Sequence, residues 1–440
     1  MLHITLPASM QSVINMSIGI IGTIMLGSLG ETAIAASTLG NGYFFLFMII
    51  GFGVAGGATV MTAQFMGKGD ISSVKKTTTL AIRIVFILAL LFSIITFLLP
   101  RQIMGIYTPE YDVIEAGAVY LRIIAFQFIF AGLATTLAII GRSFGVVRLP
   151  LFASIASLIA AAFFNWVFIF GNLDAPRLEI AGAALATVIA RVIEFAIMFG
   201  YIFFVEKKVR YRLKDLLAPC KDLVPEYIRI GSPVIFTDLL LALGAQAMAI
   251  ILGWLGQAVV SANAIMMVAS QIATIFILGI TTASSIMVGV TVGSGDIAKA
   301  KLQGYTFLII SVVLGIIASL SMFAIVPPLL NFYNVEPETI AILNGFTWSM
   351  VASLPFFSIA TVLTKGVLRG SGDTKFLMIA DVLFLWIAAI PLGYLAGFVF
   401  FLPPFWIGFL LRIEFMFKAI WCIIRMYQDK WVRVVKGVTE

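Results

Sequence analysis

The sequence predicts an all-α integral membrane protein: twelve transmembrane helices in two six-helix lobes related by a pseudo-twofold axis along the membrane normal. Composition is the first reason. Of its residues, 61% are hydrophobic and 11% charged, with a mean hydropathy of +1.11, whereas about a quarter of residues in a soluble domain are charged. The second reason is that apolar stretches of about 20 residues, long enough to cross a bilayer, recur along the whole chain. The third is an internal repeat. Pro7 falls on Pro233, Gly30 on Gly256, Ala36 on Ala262, Gly53 on Gly279 and Tyr107 on Tyr333, all 226 residues apart without a gap. Apolar spans match by chance, so the informative identity is polar: Gly67-Lys68-Gly69-Asp70-Ile71 falls on Gly293-Ser294-Gly295-Asp296-Ile297, and Lys75 on Lys301. Internal repeats of this kind are how many secondary transporters are built.

In the first half the expected spans are 4–27, 38–66, 78–99, 116–140, 150–171 and 182–205. The first begins like a signal peptide but shows no small-residue cleavage site, and its counterpart in the repeat cannot be a signal, so it is read as a helix. In the second half the spans are 230–253, 262–290, 303–326, 342–366, 376–398 and 401–425. Six is an even number, so both halves insert the same way up. The expected organisation is an N-terminal lobe 1–205, a charged cytoplasmic linker 206–229 (EKKVRYRLKDLLAPCKDLVPEYIR) and a C-terminal lobe 230–440.

Charge gives the orientation. Lys68, Lys75, Lys76, Arg142, Arg148, the cluster Lys207 to Arg229, Lys299, Lys301, Arg369, Lys375 and the tail residues Arg425, Lys430, Arg433 and Lys436 all follow even-numbered spans. The odd-numbered loops hold Arg101 and Arg177 against Glu31, Glu110, Asp112, Glu115, Asp174, Glu179, Glu336 and Glu338. The positive loops face the cytoplasm, which puts both termini of this multi-pass cell-membrane protein in the cytoplasm. The net charge of +7 and pI near 9.4 are spread over loops as topology requires, so no nucleic-acid partner is expected.

Catalytic chemistry is scarce. One histidine, His3, and two cysteines, Cys220 and Cys422, make no metal-ligand spacing and no nucleophile and base pair. Gly51-Phe52-Gly53 and Gly56-Gly57 lie in an apolar span, where small residues let helices approach, and no Walker sequence is present. An enzyme is not expected, nor any cofactor beyond a coupling ion.

What remains is charge inside spans, costly by about 2.5 to 3.5 kcal/mol at a helix centre and therefore turned toward a bundle interior or a watery cavity. Arg83 and Lys365 stand within about a turn and a half of the cytoplasmic end and are expected to snorkel. Arg191 and Glu194, three residues apart, fit a structural ion pair or a transport role. Asp238 lies nine residues beyond Arg229, roughly 13 Å into the membrane, on a face with Ala242, Ala245 and Ala249. Asp381 lies about 9 Å deep. The last span holds Arg412, Glu414 and Lys418, and Glu414 to Lys418 has the favourable i, i+4 order. Each acid is a candidate ion or proton site or, alternatively, a buried hydrogen-bonding group.

The opening LPASMQSVINMSIGIIGTIMLGSLGETAIAASTLG, the following TAQFMGKGD, and the later SPVIFTDLLLALG and VLRGSGDTKFLMIADVLFLWIAAIPLGYL resemble the multidrug and toxic compound extrusion (MATE) family. The end, RIEFMFKAIWCIIRMYQDKWVR, is similar to the bacterial sodium-driven efflux-pump type. The resemblance covers nearly the whole chain. It implies an antiporter exchanging external Na⁺ or H⁺ for cytoplasmic drugs, mostly toxic organic cations, by alternating access, with a role in antibiotic resistance and acting as a monomer in the lipid bilayer. It also implies a carboxylate a little over one turn after the proline of the seventh span, where Asp238 stands at Pro233 plus five, with Thr237 where Asn is common. Many members carry Asp where this chain has Gly22, so coupling is expected in the C-terminal lobe.

The candidate cation and substrate residues are therefore Asp238, Asp381, Glu414, Thr237 and Gln271, with Asp238 the candidate Na⁺ ligand. Asn15, Gln64, Asn165 and Glu194 form a candidate polar site in the N-terminal lobe. The alternative is a flippase for lipids or lipid-linked saccharides, or an uncoupled channel of the same architecture. Anionic lipid-linked cargo calls for basic cavity residues, and the deep acids Asp238 and Asp381 favour cationic cargo. The topology is directly testable. A cysteine introduced beside Glu336 should react with an impermeant reagent added outside and one beside Lys214 should not; the opposite pattern would overturn the twelve-span reading.

Overall fold

The computed structural model describes residues 2–332, 336–428 and 431–435; Tyr333, Lys430 and Lys436 of the repeat and charge readings lie outside the described residues. The helices of the first half are α1 (Leu2–Gly27), α2 (Glu31–Lys68), α3 (Ile71–Leu98), α4 (Pro100–Tyr107), α5 (Tyr111–Ile124), α6 (Gln127–Ser143), α7 (Leu149–Phe170) and α8 (Glu179–Gly200). Those of the second half are α9 (Val224–Trp254), α10 (Gln257–Gly293), α11 (Ile297–Phe332), α12 (Pro337–Thr361), α13 (Thr374–Leu383), α14 (Ile390–Tyr394), α15 (Pro404–Leu410) and α16 (Ile413–Tyr427).

Among the described residues, nine helices are each long and apolar enough to cross a membrane. α5 and α6, bent by 53° where they join, make a tenth span, and α1 and the broken pair α15 and α16 bring the number to twelve. Two features differ from the expected pattern. α4 is a separate short amphipathic helix that starts at Pro100, a proline suited to a first turn. The tenth and eleventh spans are interrupted by π-helical turns at Val362–Leu368, Phe384–Ala389 and Leu395–Val399, and such turns are frequent at functional sites.

The chain divides into two compact units. One contains Met1–Ser9, Ala63–Gly69 and Ile228–Lys436; the other contains Met10–Thr62 and Asp70–Tyr227. One boundary, between Tyr227 and Ile228, falls within the 206–229 connection; the others fall in α1 and around the end of α2, so residues 1–9 and 63–69 of the expected N-terminal lobe group with the second half. In the N-terminal unit that connection is docked on α3. Arg83, expected to snorkel, donates to the carbonyls of Leu216 (2.5 Å) and Ala218 (2.9 Å), which lie at and just past the end of the short 3-10 helix Leu213–Leu217 and need a donor. Thr79 bonds the Tyr211 hydroxyl at 2.7 Å, and burial raises the phenol above its ordinary value. Lys75 pairs with Asp215 at 3.0 Å and Lys76 with Asp222 at 2.5 Å.

The repeated polar loop is helix punctuation. Gly69 (φ +76°) and Gly295 (φ +81°) take the left-handed conformation that ends a helix. The next residues begin the following helix: Asp70 accepts from the Ser73 amide and Asp296 from the Lys299 amide, both at 3.0 Å, the N-cap geometry that satisfies an orphan donor.

Just before these loops α2 and α10 cross at their backbones. A Cβ on Gly67 would run into the Val290 carbonyl, and one on Gly293 into the Gln64 carbonyl. The two contacts interchange under the 226-residue shift, since Gln64 corresponds to Val290 and Gly67 to Gly293. Gly67→Ala and Gly293→Ala should each lower stability by on the order of 3 kcal/mol, because the obstacle is backbone on both sides. Gly51→Ala, whose Cβ meets nothing within 4 Å, should be close to neutral. Melting of the purified protein in detergent checks this, and unchanged melting of the first two variants would contradict the crossing.

Candidate functional site in two buried charge networks

In the C-terminal unit the membrane acids are all matched by bases. α9 carries Pro233 within its length, and Thr237 returns its hydroxyl to the Pro233 carbonyl at 2.6 Å. The next residue, Asp238, points its Oδ1 at Arg369 Nη2 (3.3 Å) and Lys365 Nζ (3.8 Å). Lys365 lies in the π-helical turn after α12, and rather than only snorkelling it shares Asp238 with Arg369. Further along, Lys418 Nζ on α16 bridges Asp381 Oδ1 of α13 at 3.2 Å and Glu414 Oε2 at 2.8 Å. These three side chains are only 3 to 7% exposed. Lys418 also lies 5.5 Å from the Phe415 ring centre, a favourable cation and aromatic distance.

The charge balance follows. Asp381, Glu414 and Lys418 together carry −1, while Asp238 with Arg369 and Lys365 carries +1. The excess of acid expected in this half is absent, since each carboxylate has a base that sequence position does not reveal: Asp238 is 131 residues from Arg369. Gln271 is exposed and lies in neither network.

The N-terminal unit holds a third network. Arg191 Nη1 pairs with Glu194 Oε2 at 2.7 Å on α8. Ser154 of α7 donates to Glu194 Oε1 at 3.3 Å, and Gln11 Nε2 of α1 donates to Ser154 Oγ at 3.2 Å. Arg142, at the end of α6, donates through Nη2 to Gln11 Oε1. Glu194, Ser154 and Gln11 are buried and Arg142 is half-buried. Two arginines and one glutamate give this network +1.

The other polar residues of the N-terminal half are placed elsewhere. Asn165 is buried on α7 with its Oδ1 unpartnered among the described residues, eleven residues beyond Ser154, and Asn15 is exposed. Gln64 belongs to the C-terminal unit. Its Nε2 donates to the carbonyls of Gly370 (3.2 Å) and Arg433 (3.1 Å), and its Oε1 accepts from the Val435 amide (2.7 Å). Its polar atoms are thus engaged in holding the tail segment 431–435 against the 370–373 loop. There Asp373 is fully buried between Arg425 and Arg433, each at 2.9 Å.

The N-terminal network and the two C-terminal ones occupy equivalent places in the repeat. Gln11 and Ser12 correspond to Thr237 and Asp238 at a shift of 226, while Arg142 corresponds to Arg369, Ser154 to Asp381 and Arg191 to Lys418 at a shift of 227. Neither Gln11 nor Arg142 stands out in the sequence, and this one-residue change of register is the signal that identifies them.

Comparison with known proteins agrees with the duplication. The MatE family profile matches twice, at residues 7–167 and 233–395, starting 226 residues apart. The chain is 25% identical, over 98% of its length and 92% of the relative's, to a probable multidrug resistance protein NorM of Thermotoga maritima. It is 22% identical to the multidrug resistance protein MdtK of Yersinia enterocolitica, over 94% of the chain and 92% of that protein. Among solved structures, a Vibrio cholerae MATE transporter superposes with a TM-score of 0.87 at 19% identity, covering 97% of this chain and 95% of that one. A MOP superfamily transporter from Pyrococcus furiosus, described as having a binding pocket of reverse polarity, gives 0.83 at 16% identity, with 98% and 96% covered. With the profile matching both halves, the chain belongs to the MatE family, the multidrug and toxic compound extrusion proteins.

Proposed function

We propose that this protein is a multidrug efflux antiporter of the cell membrane, exporting organic compounds in exchange for Na⁺ or H⁺ by alternating access, as a monomer with both termini in the cytoplasm. The multidrug resistance relatives support export of drugs. The observation that carries ion coupling is the cluster of Asp381, Glu414 and Lys418. Its net charge of −1, held inside membrane-spanning helices, is what one monovalent cation neutralises, whether H⁺ on a carboxyl or Na⁺ between the oxygens. Asp238 is less suited to Na⁺, since a metal ion there would meet the positive heads of Arg369 and Lys365. Its carboxylate fits a structural or gating exchange between those two bases. The coupling ion changes which lobe orientation is favoured by binding one state better than the other.

Vesicle efflux of a fluorescent organic cation under separately imposed Na⁺ and proton gradients tests the reading. One gradient should drive efflux, and Asp381→Asn or Glu414→Gln should reduce that dependence by about tenfold or more. Efflux with unchanged ion dependence in both variants would remove the coupling assignment. Lys418→Met should cost about 3 to 5 kcal/mol of stability, because it leaves two buried carboxylates unpaired; detergent melting reads that out, and an unshifted melting temperature would contradict the shared ion pair.

A second reading, translocation of lipid-linked or other anionic lipids, has one observation in its favour: Arg142 and Arg191 outnumber Glu194 in the N-terminal network. Scrambling of a fluorescent anionic lipid in proteoliposomes, without drug efflux, would select it.

A further inference from the structure

We propose that the connection leaving the sixth span, residues 204–223, is a docking surface for anionic phospholipid of the cytoplasmic leaflet: its exposed bases hold the headgroups and its exposed leucines enter the acyl boundary. This surface is separate from the buried charge networks, and the proposal stands whichever ion or compound is transported.

The connection is sorted by the sign of its charges. Its acids are consumed internally. Glu206 is buried and accepts the amides of Lys208 (2.5 Å), Val209 (3.1 Å) and Arg210 (2.8 Å). Asp215 takes Lys75 of α3 and the Arg212 amide, and Asp222 takes Lys76 of α3. One base is also spent on the fold, since Arg212 donates to the Phe203 carbonyl at 2.9 Å. The others are not. Lys207, Lys208, Arg210, Lys214 and Lys221 are exposed and make no ion pair among the described residues. Arg210 sits at φ +53°, left-handed backbone that a residue with a side chain rarely takes, and the Glu206 carboxylate on its amide holds it in that turn.

Apolar side chains accompany these bases. Phe204, 64% exposed, belongs to the π-helical turn Tyr201–Val205 that ends the sixth span. Leu213 (49% exposed) and Leu217 (86%) belong to the 3-10 helix Leu213–Leu217, and Lys214 and Leu217, three residues apart, share a face of it. Apolar residues exposed beside bases, where the chain leaves the bilayer, have the composition of an element lying in the interface. Each Lys or Arg near the surface favours anionic lipid by about fivefold in affinity. An acidic protein would satisfy the bases alone, whereas a phospholipid satisfies both the bases and the leucines.

The test uses the full-length protein in a neutral detergent with equimolar phosphatidylglycerol and phosphatidylcholine, the retained lipid being counted by native mass spectrometry. The wild type should retain phosphatidylglycerol in preference. Lys208→Gln with Arg210→Gln should reduce that preference by about tenfold, while Lys299→Gln with Lys375→Gln, removing two exposed bases of other cytoplasmic loops, should change it by less than about twofold. Leu213→Ser with Leu217→Ser should lower retention of both lipids and keep the preference. Detergent melting separates lipid from free anion: phosphatidylglycerol should raise the melting temperature of the wild type, as a ligand of the folded state does, and inorganic phosphate should not. The proposal is overturned by equal retention of the two lipids, which would leave the face to an acidic protein, by equal losses in the two charge variants, by retention that ignores the leucine substitutions, or by an equal rise in melting temperature with inorganic phosphate.

Discussion

The approach of α2 to α10 at Gly67 and Gly293 is the constraint on which the cytoplasmic end of the C-terminal unit depends. Neither helix tolerates a side chain at the crossing, so the backbones fix each other's position. Gln64, one turn before Gly67, is then held where its amide reaches Gly370, Arg433 and Val435. Through it the 370–373 loop and the tail are placed, and with them Asp373 and the start of α13, the helix that carries Asp381. A steric rule at two glycines thus propagates, through hydrogen bonds that a buried backbone must make, to the placement of a membrane-embedded carboxylate.

The second organising rule is charge matching. In a hydrocarbon environment an unpaired ion is too costly to keep, and the C-terminal unit meets this by giving each acid a base from another element or another turn. Such pairs contribute little net stability against a hydrophobic alternative, yet removing one partner leaves an uncompensated buried charge. Lys418 is shared between two carboxylates, Asp381 and Glu414, and leaves one formal charge over.

The fold was legible in the sequence because its signals are local or periodic. Apolar length marks the spans, Gly69 and Asp70 mark a helix end and a helix start, and their recurrence at Gly295 and Asp296 reveals the duplication. The pairing of Arg191 with Glu194 and of Glu414 with Lys418 was legible for the same reason, since neighbours one turn apart must meet. What was not legible depends on which helix faces which. The partners of Asp238 are more than a hundred residues away, the docking of Arg83 on the linker depends on an irregular segment, and the engagement of Gln64 with the tail depends on a backbone crossing. The π-helical turns around Lys365 and after Asp381 leave no mark in hydropathy, yet they set which way these spans present their polar residues.

The two halves also show how one scaffold acquires different charge. The repeat preserves helix ends and crossing glycines, which backbone geometry will not release, whereas the network positions are side-chain choices on otherwise equivalent helices. Ser12 against Asp238 and Ser154 against Asp381 remove two carboxylates from the N-terminal half, while the bases Arg142 and Arg191 remain where Arg369 and Lys418 stand. Glu194, three residues beyond Arg191, restores one acid in place of Glu414, four residues before Lys418. The N-terminal network consequently ends at +1, whereas its counterparts in the C-terminal unit, the Lys418 cluster at −1 and the Asp238 group at +1, sum to zero. Side-chain substitution at equivalent helix positions thus changes the net charge of a buried network without disturbing the backbone contacts that the repeat preserves.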